Sequence, residues 1–230
     1  MTRNRLAFLL VALALAAPAA AQEPAPPASA AAPDPVPAAT AAARPAAPGA
    51  FGIGAKLGVV LPQVATELQT TVGAELELSY AVPVLGRRLA PFFGIGYAQP
   101  KIARSSLEDP RLPGSYDGTQ TQRELTLAFG LLGRLMPLES RWNAYAGAGV
   151  RIYLLETVTV GSTGAAAFGE NREQSTRVGG IFLVGGEFRL WRGSVLLELQ
   201  YGHSRLPHWV TGEVTTGALT IALGYRLMLF

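Results

Sequence analysis

The residues best suited to chemistry lie near the end of the chain, where His203, Ser204, His208 and Glu213 occur close together. A serine activated by a histidine base, with a carboxylate to orient the base, could hydrolyse an ester. The surrounding sequence alternates like a β-strand, so the adjacent His203 and Ser204 point to opposite faces. A nucleophile and its base must lie within hydrogen-bonding reach, so this spacing argues against catalysis.

Three carboxylates, Glu108, Asp109 and Asp117, fall in a polar connection and could in principle bind a cation. Calcium sites use a tight, glycine-bearing ligand spacing that this connection lacks, which favours a solvated loop. The chain has no cysteine, so disulfides and thiolate metal sites are excluded. It also lacks a phosphate loop, a dinucleotide fingerprint and a zinc spacing. We therefore predict no catalytic residue, no metal and no cofactor.

The composition is unusually apolar for a chain without an obvious membrane helix. Hydrophobic residues make up 49% of the sequence and charged residues 15%, against ~25% charged in an ordinary soluble domain. The longest apolar run, Leu6 to Ala21, contains Pro18 and is shorter than the ~18–20 residues that a membrane helix needs. The apolar surplus must therefore fill a soluble core or face lipid in short stretches.

The first 50 residues predict export and a spacer. Arg3 and Arg5 precede an apolar run that ends in small residues, which is typical of a signal peptide spanning 1–21. Residues 22–50 contain 8 prolines and 13 alanines, which predicts a disordered, semi-rigid linker. Without the leader the net charge falls from +3 to +1, because two arginines are lost, so no nucleic-acid partner is expected.

From Phe51 onward apolar residues alternate with glycine, small polar and charged residues, the pattern of strands with two different faces. The connections alternate in length: three are short, whereas those at Pro100–Gly118 and Val158–Gln174 are long and polar. Such alternation is typical of a transmembrane barrel with periplasmic turns and extracellular loops. We predict an all-β, eight-stranded antiparallel up-and-down barrel over 51–230, with strands at about 51–60, 70–83, 89–99, 120–136, 142–157, 177–190, 195–202 and 217–229.

The glycines indicate which face looks inward. They share a face with the charged residues, and glycine weakens a strand unless something must approach closely. An eight-stranded lumen is just wide enough to be filled by side chains, so we predict that the charged face lines it. Near-balance between five acids and six bases predicts a salt-bridged, plugged lumen. The predicted charge network is Lys56, Glu75, Glu77, Glu124, Arg134, Arg151, Arg177, Glu187, Arg189, Glu198 and Arg226. A soluble lipocalin-type barrel, with its apolar face around a ligand, is the structural rival.

In this pattern, and in the terminal stretch 224–230, the chain resembles the small outer-membrane β-barrels of the OmpA transmembrane-domain, OmpX and OmpW type. Barrels of that family end in an aromatic residue read by the assembly machinery, which implies that Tyr225 and Phe230 form an assembly signal. The resemblance also implies a bacterial outer-membrane location and contact with lipid and lipopolysaccharide. Lipid A deacylases are similar barrels with Ser, His and Glu, but their His-x-Ser spacing is absent here.

The resulting expectation is a monomeric, non-enzymatic outer-membrane barrel whose lumen is largely plugged and whose surface loops support adhesion or envelope integrity. A narrow passive channel for small or hydrophobic solutes is the alternative, and a lipid A-modifying enzyme comes third.

Overall fold

The computed structural model describes residues 49–229 except 65, 84, 109–114, 164–165 and 206–214, and only the backbone of 106–108, 115–116, 163 and 166–168. The predicted signal peptide and the predicted linker up to residue 48 lie outside this part of the chain. The same holds for Asp109, His208, Glu213 and Phe230.

Strands account for almost all of the described chain. They are β1 (Ala50–Leu61), β2 (Thr71–Ala81), β3 (Leu89–Ala98), β4 (Lys101–Glu108), β5 (Ser115–Arg134), β6 (Trp142–Thr163), β7 (Ala166–Leu190), β8 (Gly193–Arg205) and β9 (Thr215–Leu229). Short 3-10 turns occur at Pro62–Val64 and Leu85–Arg87. Within the described residues, no helix is long and apolar enough to cross a membrane.

The sheet closes on itself. β1 pairs with both β2 and β9, and the ring is completed by the antiparallel pairing of β3 with β5. β4 takes over the place of β3 beside β5, because Ala98 pairs with Glu124 and Lys101 pairs with Thr121 further along the same strand. The prediction of an eight-stranded antiparallel up-and-down barrel is therefore confirmed, with β4 as an additional strand.

The two long connections predicted as loops are mostly strand. Lys101–Glu108 forms β4, β5 already begins at Ser115, and β6 and β7 stay paired as far as Thr163 and Ala166. Both connections are polar, and β6 continues through Val158, Thr159 and Val160, β-branched residues that suit a pleated sheet. The loop prediction was wrong because polarity identified the solvated part of the chain and not its backbone conformation.

The parts of β4–β7 beyond the barrel, residues 101–108, 115–123, 156–163 and 166–174, form what we call the raised wall. β7 pairs with β8 only from Gly180 to Leu190. On the other side of Gly180, towards Ala166, β7 remains paired with β6 alone. The wall rises from the long-connection end of the barrel.

The outer surface of the barrel is apolar. Along β1, exposed Phe51, Ile53 and Leu57 alternate with buried residues, and the pattern recurs around the ring. About 9–11 tilted residues are enough to cross a bilayer, so the 12 residues of β1 can span it. A lipocalin-type arrangement would place these side chains inside, so the outward apolar band defines a membrane-spanning barrel. Further members are Val72, Leu76, Leu78, Ile95, Phe129, Leu131, Val150, Val178, Phe182, Leu197, Leu199, Ile221 and Leu223.

Aromatic pairs mark the short-turn edge of this band. The Phe51 and Tyr80 rings lie 4.8 Å apart, and the Trp142 and Phe188 rings lie 4.4 Å apart. Trp191 is 81% exposed in the adjoining two-residue turn. Aromatic side chains with a polar edge concentrate at membrane interfaces, so this row positions the short-turn end at one membrane surface.

Candidate functional site

The centre of the lumen holds one ammonium group among three carboxylates. Lys56 projects inward from β1 and is 3% exposed. Its Nζ atom lies 2.9 Å from Glu75 Oε1, 2.7 Å from Glu77 Oε2 and 2.6 Å from Glu198 Oε1. Lys56 therefore joins β1 to its neighbour β2 and, past β9, to β8.

Arg226 extends this cluster towards the short-turn end. Its Nη2 atom lies 2.8 Å from Glu77 Oε1, and its Nη1 atom lies 2.7 Å from Glu187 Oε2. Glu187 also accepts a 2.7 Å bond from Arg134 Nε. The fork of an arginine can bond two carboxylates at once, which suits a fully buried position between two acids.

Neutral side chains complete the network. Gln200 donates to Glu75 at 3.0 Å and to Glu198 at 2.6 Å, and it accepts a 2.5 Å bond from Arg151 Nη2. Tyr145 donates to Glu198 at 2.8 Å. The sequence analysis missed both residues as network members, although Gln200 has the same inward phase as Glu198.

We call these groups the lumen network: Lys56, Glu75, Glu77, Arg134, Tyr145, Arg151, Glu187, Glu198, Gln200 and Arg226. They come from seven of the eight barrel strands. The exception is β3, which has Gly94 and Gly96 at the facing positions. A Cβ atom at Gly94 would lie 3.5 Å from Glu75 Oε1, so the missing side chain leaves room for the carboxylate.

The other three predicted network residues occupy different places. Glu124 is partly buried and lines the same cavity as Arg151. Arg177 is partly buried and pairs in register with Tyr153 in the upper lumen. Arg189 lies at the short-turn end, where its Nη1 donates to the backbone carbonyl of Glu139 at 3.3 Å.

One side of the lumen is apolar, which the sequence analysis did not predict. Buried apolar side chains from β3, β5, β6 and β7 pack together there. The sequence could have revealed this cluster, because residues an even number apart in a strand share a face. Leu132 is two residues from Arg134, and Leu183 is four residues from Glu187. The cluster consists of Ala90, Phe92, Ala128, Leu132, Tyr145, Ile181 and Leu183.

The β5–β6 turn covers the short-turn mouth of the barrel. Leu138 is 8% exposed and packs with Ala50, Ala81 and Met228. Asn143 shapes the turn, because its side chain accepts from the backbone N–H of residue 136 at 3.0 Å and donates to the carbonyl of that residue at 2.9 Å. An ion pair between Arg87 and Glu139 ties this turn to the β2–β3 turn. We call Leu138 and its three packing partners the turn plug.

The opposite half of the lumen is more open. A cavity of about 50 Å³ lies beside Lys56, Glu75, Glu124 and Arg151. Arg151 Nε, beside this cavity, has no hydrogen-bond partner among the described residues, and the same holds for the buried Tyr153 Oη, Arg177 Nε and Thr216 Oγ1. Buried polar groups of this kind are commonly satisfied by ordered water, and a cavity of this volume is large enough to hold it.

The residues considered for catalysis do not come together. His203 is exposed on the outer face of β8, while Ser204 is buried on the inner face and donates to the carbonyl of Val178 at 2.8 Å. Tyr225 is partly buried on β9 and donates to the carbonyl of Leu190 at 3.0 Å. Among the described residues, no group of three or more metal-ligating side chains is placed to hold an ion.

No protein-family model and no curated protein matches this sequence. Solved structures do. A major outer membrane protein from Thermus thermophilus is 14% identical with a TM-score of 0.59, and the match covers 79% of this chain and 99% of that one. OprG from Pseudomonas aeruginosa is 13% identical with a TM-score of 0.51, covering 79% and 96%. Ail of Yersinia pestis is 15% identical with a TM-score of 0.41, covering 78% and 97%.

The closed ring of eight strands, the apolar outer band and the aromatic edge define a small β-barrel of the outer-membrane type. The structural matches share this fold. The predicted resemblance to small outer-membrane barrels is thus confirmed at the level of the fold.

Proposed function

We propose that this protein is a non-enzymatic barrel of the bacterial outer membrane, closed to solute flow, whose raised wall carries its role at the cell surface. The lumen network is the observation that carries this proposal. Its charged groups alternate in sign and bond one another across the barrel, so ions crossing the lumen would have to displace buried salt bridges. Removing one partner of such a pair costs about 3–5 kcal/mol.

Two apolar features support closure near the short-turn end. The turn plug covers the mouth, and the cluster around Leu132 and Leu183 fills the side of the lumen that the lumen network leaves unoccupied. Apolar side chains packed to interior density leave few voids larger than a water molecule. Water that enters from the wall side would stop at the level of Lys56.

A narrow passive channel is the second candidate. The cavity beside Lys56 and the unbonded polar atoms of Arg151, Tyr153 and Arg177 favour it, because they would lie along a hydrated path through the upper lumen. The two functions differ in whether this path continues past Lys56 and Arg226.

Single-channel recording in planar bilayers separates these candidates. We expect the wild-type barrel to show no steady conductance. The charge-balanced double variant Glu77→Ala/Arg226→Ala removes a bonded pair from the lumen, while Lys56 keeps Glu75 and Glu198 and Glu187 keeps Arg134. It should conduct small ions. Arg123→Ala/Glu156→Ala removes an ion pair of the same charges from the outer face of the raised wall and serves as the control. Large, steady wild-type conductance would refute the closed lumen and favour the channel.

The proposed partners contact the raised wall at the cell surface and the barrel in the membrane. The raised wall extends paired strands beyond the membrane-spanning part of the barrel, which gives a rigid surface for adhesion or for contacts that stabilise the envelope. We also propose that the apolar band contacts lipid and lipopolysaccharide, that Tyr225 and Phe230 contribute to recognition by the barrel assembly machinery, and that the barrel is a monomer.

A further inference from the structure

The short turns carry an uneven distribution of charge. We call residues 82–88, 135–141 and 189–192 the turn rim. Its described residues include five arginines and a single acid, Glu139. The five are Arg87, Arg88, Arg141, Arg189 and Arg192. Arg87 forms an ion pair with Glu139, and Arg189 donates to the backbone carbonyl of Glu139.

The remaining arginines are distributed one to each short turn. Arg88 follows the β2–β3 turn, Arg141 ends the β5–β6 turn and Arg192 lies in the β7–β8 turn, and all three are exposed or partly exposed. None of them forms an ion pair with a carboxylate in the described part of the chain. Arginines of the raised wall differ in this respect, because Arg123 and Arg172 both bond Glu156.

Two of these guanidinium groups lie over rings at the edge of the membrane band. The Arg141 guanidinium is 5.2 Å from the centre of the Phe188 ring, and the Arg192 guanidinium is 5.6 Å from that of Trp191. The Phe188 ring packs at a tilt against Trp142, which is 64% exposed on the outer face. A guanidinium held against a lipid-facing ring lies at the depth of lipid headgroups rather than out in the aqueous phase.

From this placement we infer that the turn rim binds the phosphates of anionic phospholipids in the leaflet it faces. Arginine donates in a fork that matches two phosphate oxygens, and each basic residue close to an anionic membrane surface strengthens association. Arg88, Arg141 and Arg192, which have no carboxylate partner in the described part of the chain, lie on three different turns at the short-turn end. They would therefore bind anionic lipids around this end of the barrel. This inference does not depend on whether the lumen conducts.

The chain provides its own optical probe. Trp191 lies in the turn rim and Trp142 directly follows it, and brominated acyl chains quench tryptophan fluorescence on contact. Trp209, the third tryptophan, is removed by Trp209→Phe. In that background the full-length barrel is reconstituted into phosphatidylcholine vesicles containing brominated phosphatidylglycerol or brominated phosphatidylcholine. We expect the rim to prefer phosphatidylglycerol by about fivefold or more at low salt, falling as salt rises.

A charge-matched pair of variants gives the decisive comparison. Arg88→Gln/Arg141→Gln/Arg192→Gln should reduce the lipid preference to near unity. Arg123→Gln/Arg172→Gln/Arg205→Gln removes the same number of exposed charges from the opposite end and should preserve it. Heat-modifiable gel migration confirms that both variants fold, and the single variant Arg192→Gln should show an intermediate preference.

Several results would overturn the inference. These are a wild-type barrel with no preference, a turn-rim variant that keeps it, or an opposite-end variant that loses it equally. Millimolar glycerol phosphate should leave the preference intact. If it abolishes the preference, the rim is a site for free phosphate and not for membrane lipid.

Discussion

At the scale of single residues, the barrel interior depends on charges that satisfy one another. Glu187 bonds both Arg134 and Arg226, at 2.7 Å in each case. Arginines have no acceptor lone pairs and stay charged, so they rely on the carboxylates that face them. Within the described residues Arg134 bonds the carboxylate of Glu187, and Arg226 is shared between Glu187 and Glu77.

We predict that Glu187→Gln lowers the free energy of unfolding by about 3–5 kcal/mol, because it leaves two buried guanidinium groups short of a counter-charge. Urea unfolding in detergent micelles, followed by tryptophan fluorescence, measures this. Glu156→Gln, in an ion pair on the outer face, is the control and should cost less than about 1 kcal/mol. Equal losses in the two variants would mean that the lumen network contributes no more than a surface pair.

Glycine at two inward positions makes room for tyrosine side chains that lie along the inner wall of the barrel. A Cβ atom at Gly185 would lie 2.6 Å from Tyr145 Oη and 2.8 Å from the carbonyl of Leu197. Gly202 faces the Tyr153 hydroxyl in the same way. These contacts explain why the charged face is also rich in glycine.

We therefore predict that Gly185→Ala destabilises the barrel by about 1–3 kcal/mol through overpacking. Gly186→Ala is the matched control, since the next residue faces outward and the nearest atom to its added Cβ would be 3.9 Å away. The midpoints of thermal unfolding, read from the boiled and unboiled gel bands, compare the two. A Gly186→Ala variant as unstable as Gly185→Ala would point to loss of backbone freedom instead.

At the scale of elements, the raised wall and the barrel have different physical requirements. Barrel strands need an apolar outer face to contact lipid, whereas wall strands carry Arg123, Glu156 and Arg172 on theirs. The wall is held by backbone pairing between neighbouring strands and has no need of lipid. It should be removable without loss of the barrel.

Joining Val158 to Arg172 through an Asn-Gly turn tests this separation. These two residues pair in register, so a two-residue turn can close the shortened hairpin. We expect the variant to insert and to keep heat-modifiable migration, while any adhesion that the wild type supports is lost. Joining Val150 to Gly180 in the same way removes membrane-level strand and should prevent insertion. Failure of the first variant to fold would show that the wall contributes to barrel stability.

At the scale of the whole molecule, the apolar outer band determines where the protein can exist. Exposure of the side chains of Phe51, Leu57, Val72 and Phe182 to water would be unfavourable. Removing apolar surface from water lowers the free energy by roughly 25 cal/mol per Å². Contiguous apolar surface on this scale marks an interaction with lipid or protein.

We predict that the expressed chain fractionates with the outer membrane, requires detergent for extraction and migrates differently before and after boiling. Cell fractionation and gel electrophoresis check all three. A carbonate wash that leaves the protein in the membrane excludes a peripheral association. Recovery from the periplasmic fraction without detergent would contradict membrane insertion.

The order of residue types along the chain was enough to predict the barrel. Alternation at period two assigns each side chain to a face locally, so the strands, their number and the inward position of the charges follow without knowledge of any contact. The connection lengths likewise identified the short-turn end. Polar composition was less informative, since it marked β4 and the upper hairpin of β6 and β7 as loops.

Only the tertiary structure decided which charges meet and how the lumen is filled. Lys56 and Glu198 are 142 positions apart, and their contact depends on the stagger between strands across a closed ring. The same stagger places Leu132 and Leu183 in one apolar cluster and Leu138 over the mouth of the barrel. A periodic pattern specifies the face of a residue but not its height in the barrel, and the lumen contacts depend on both.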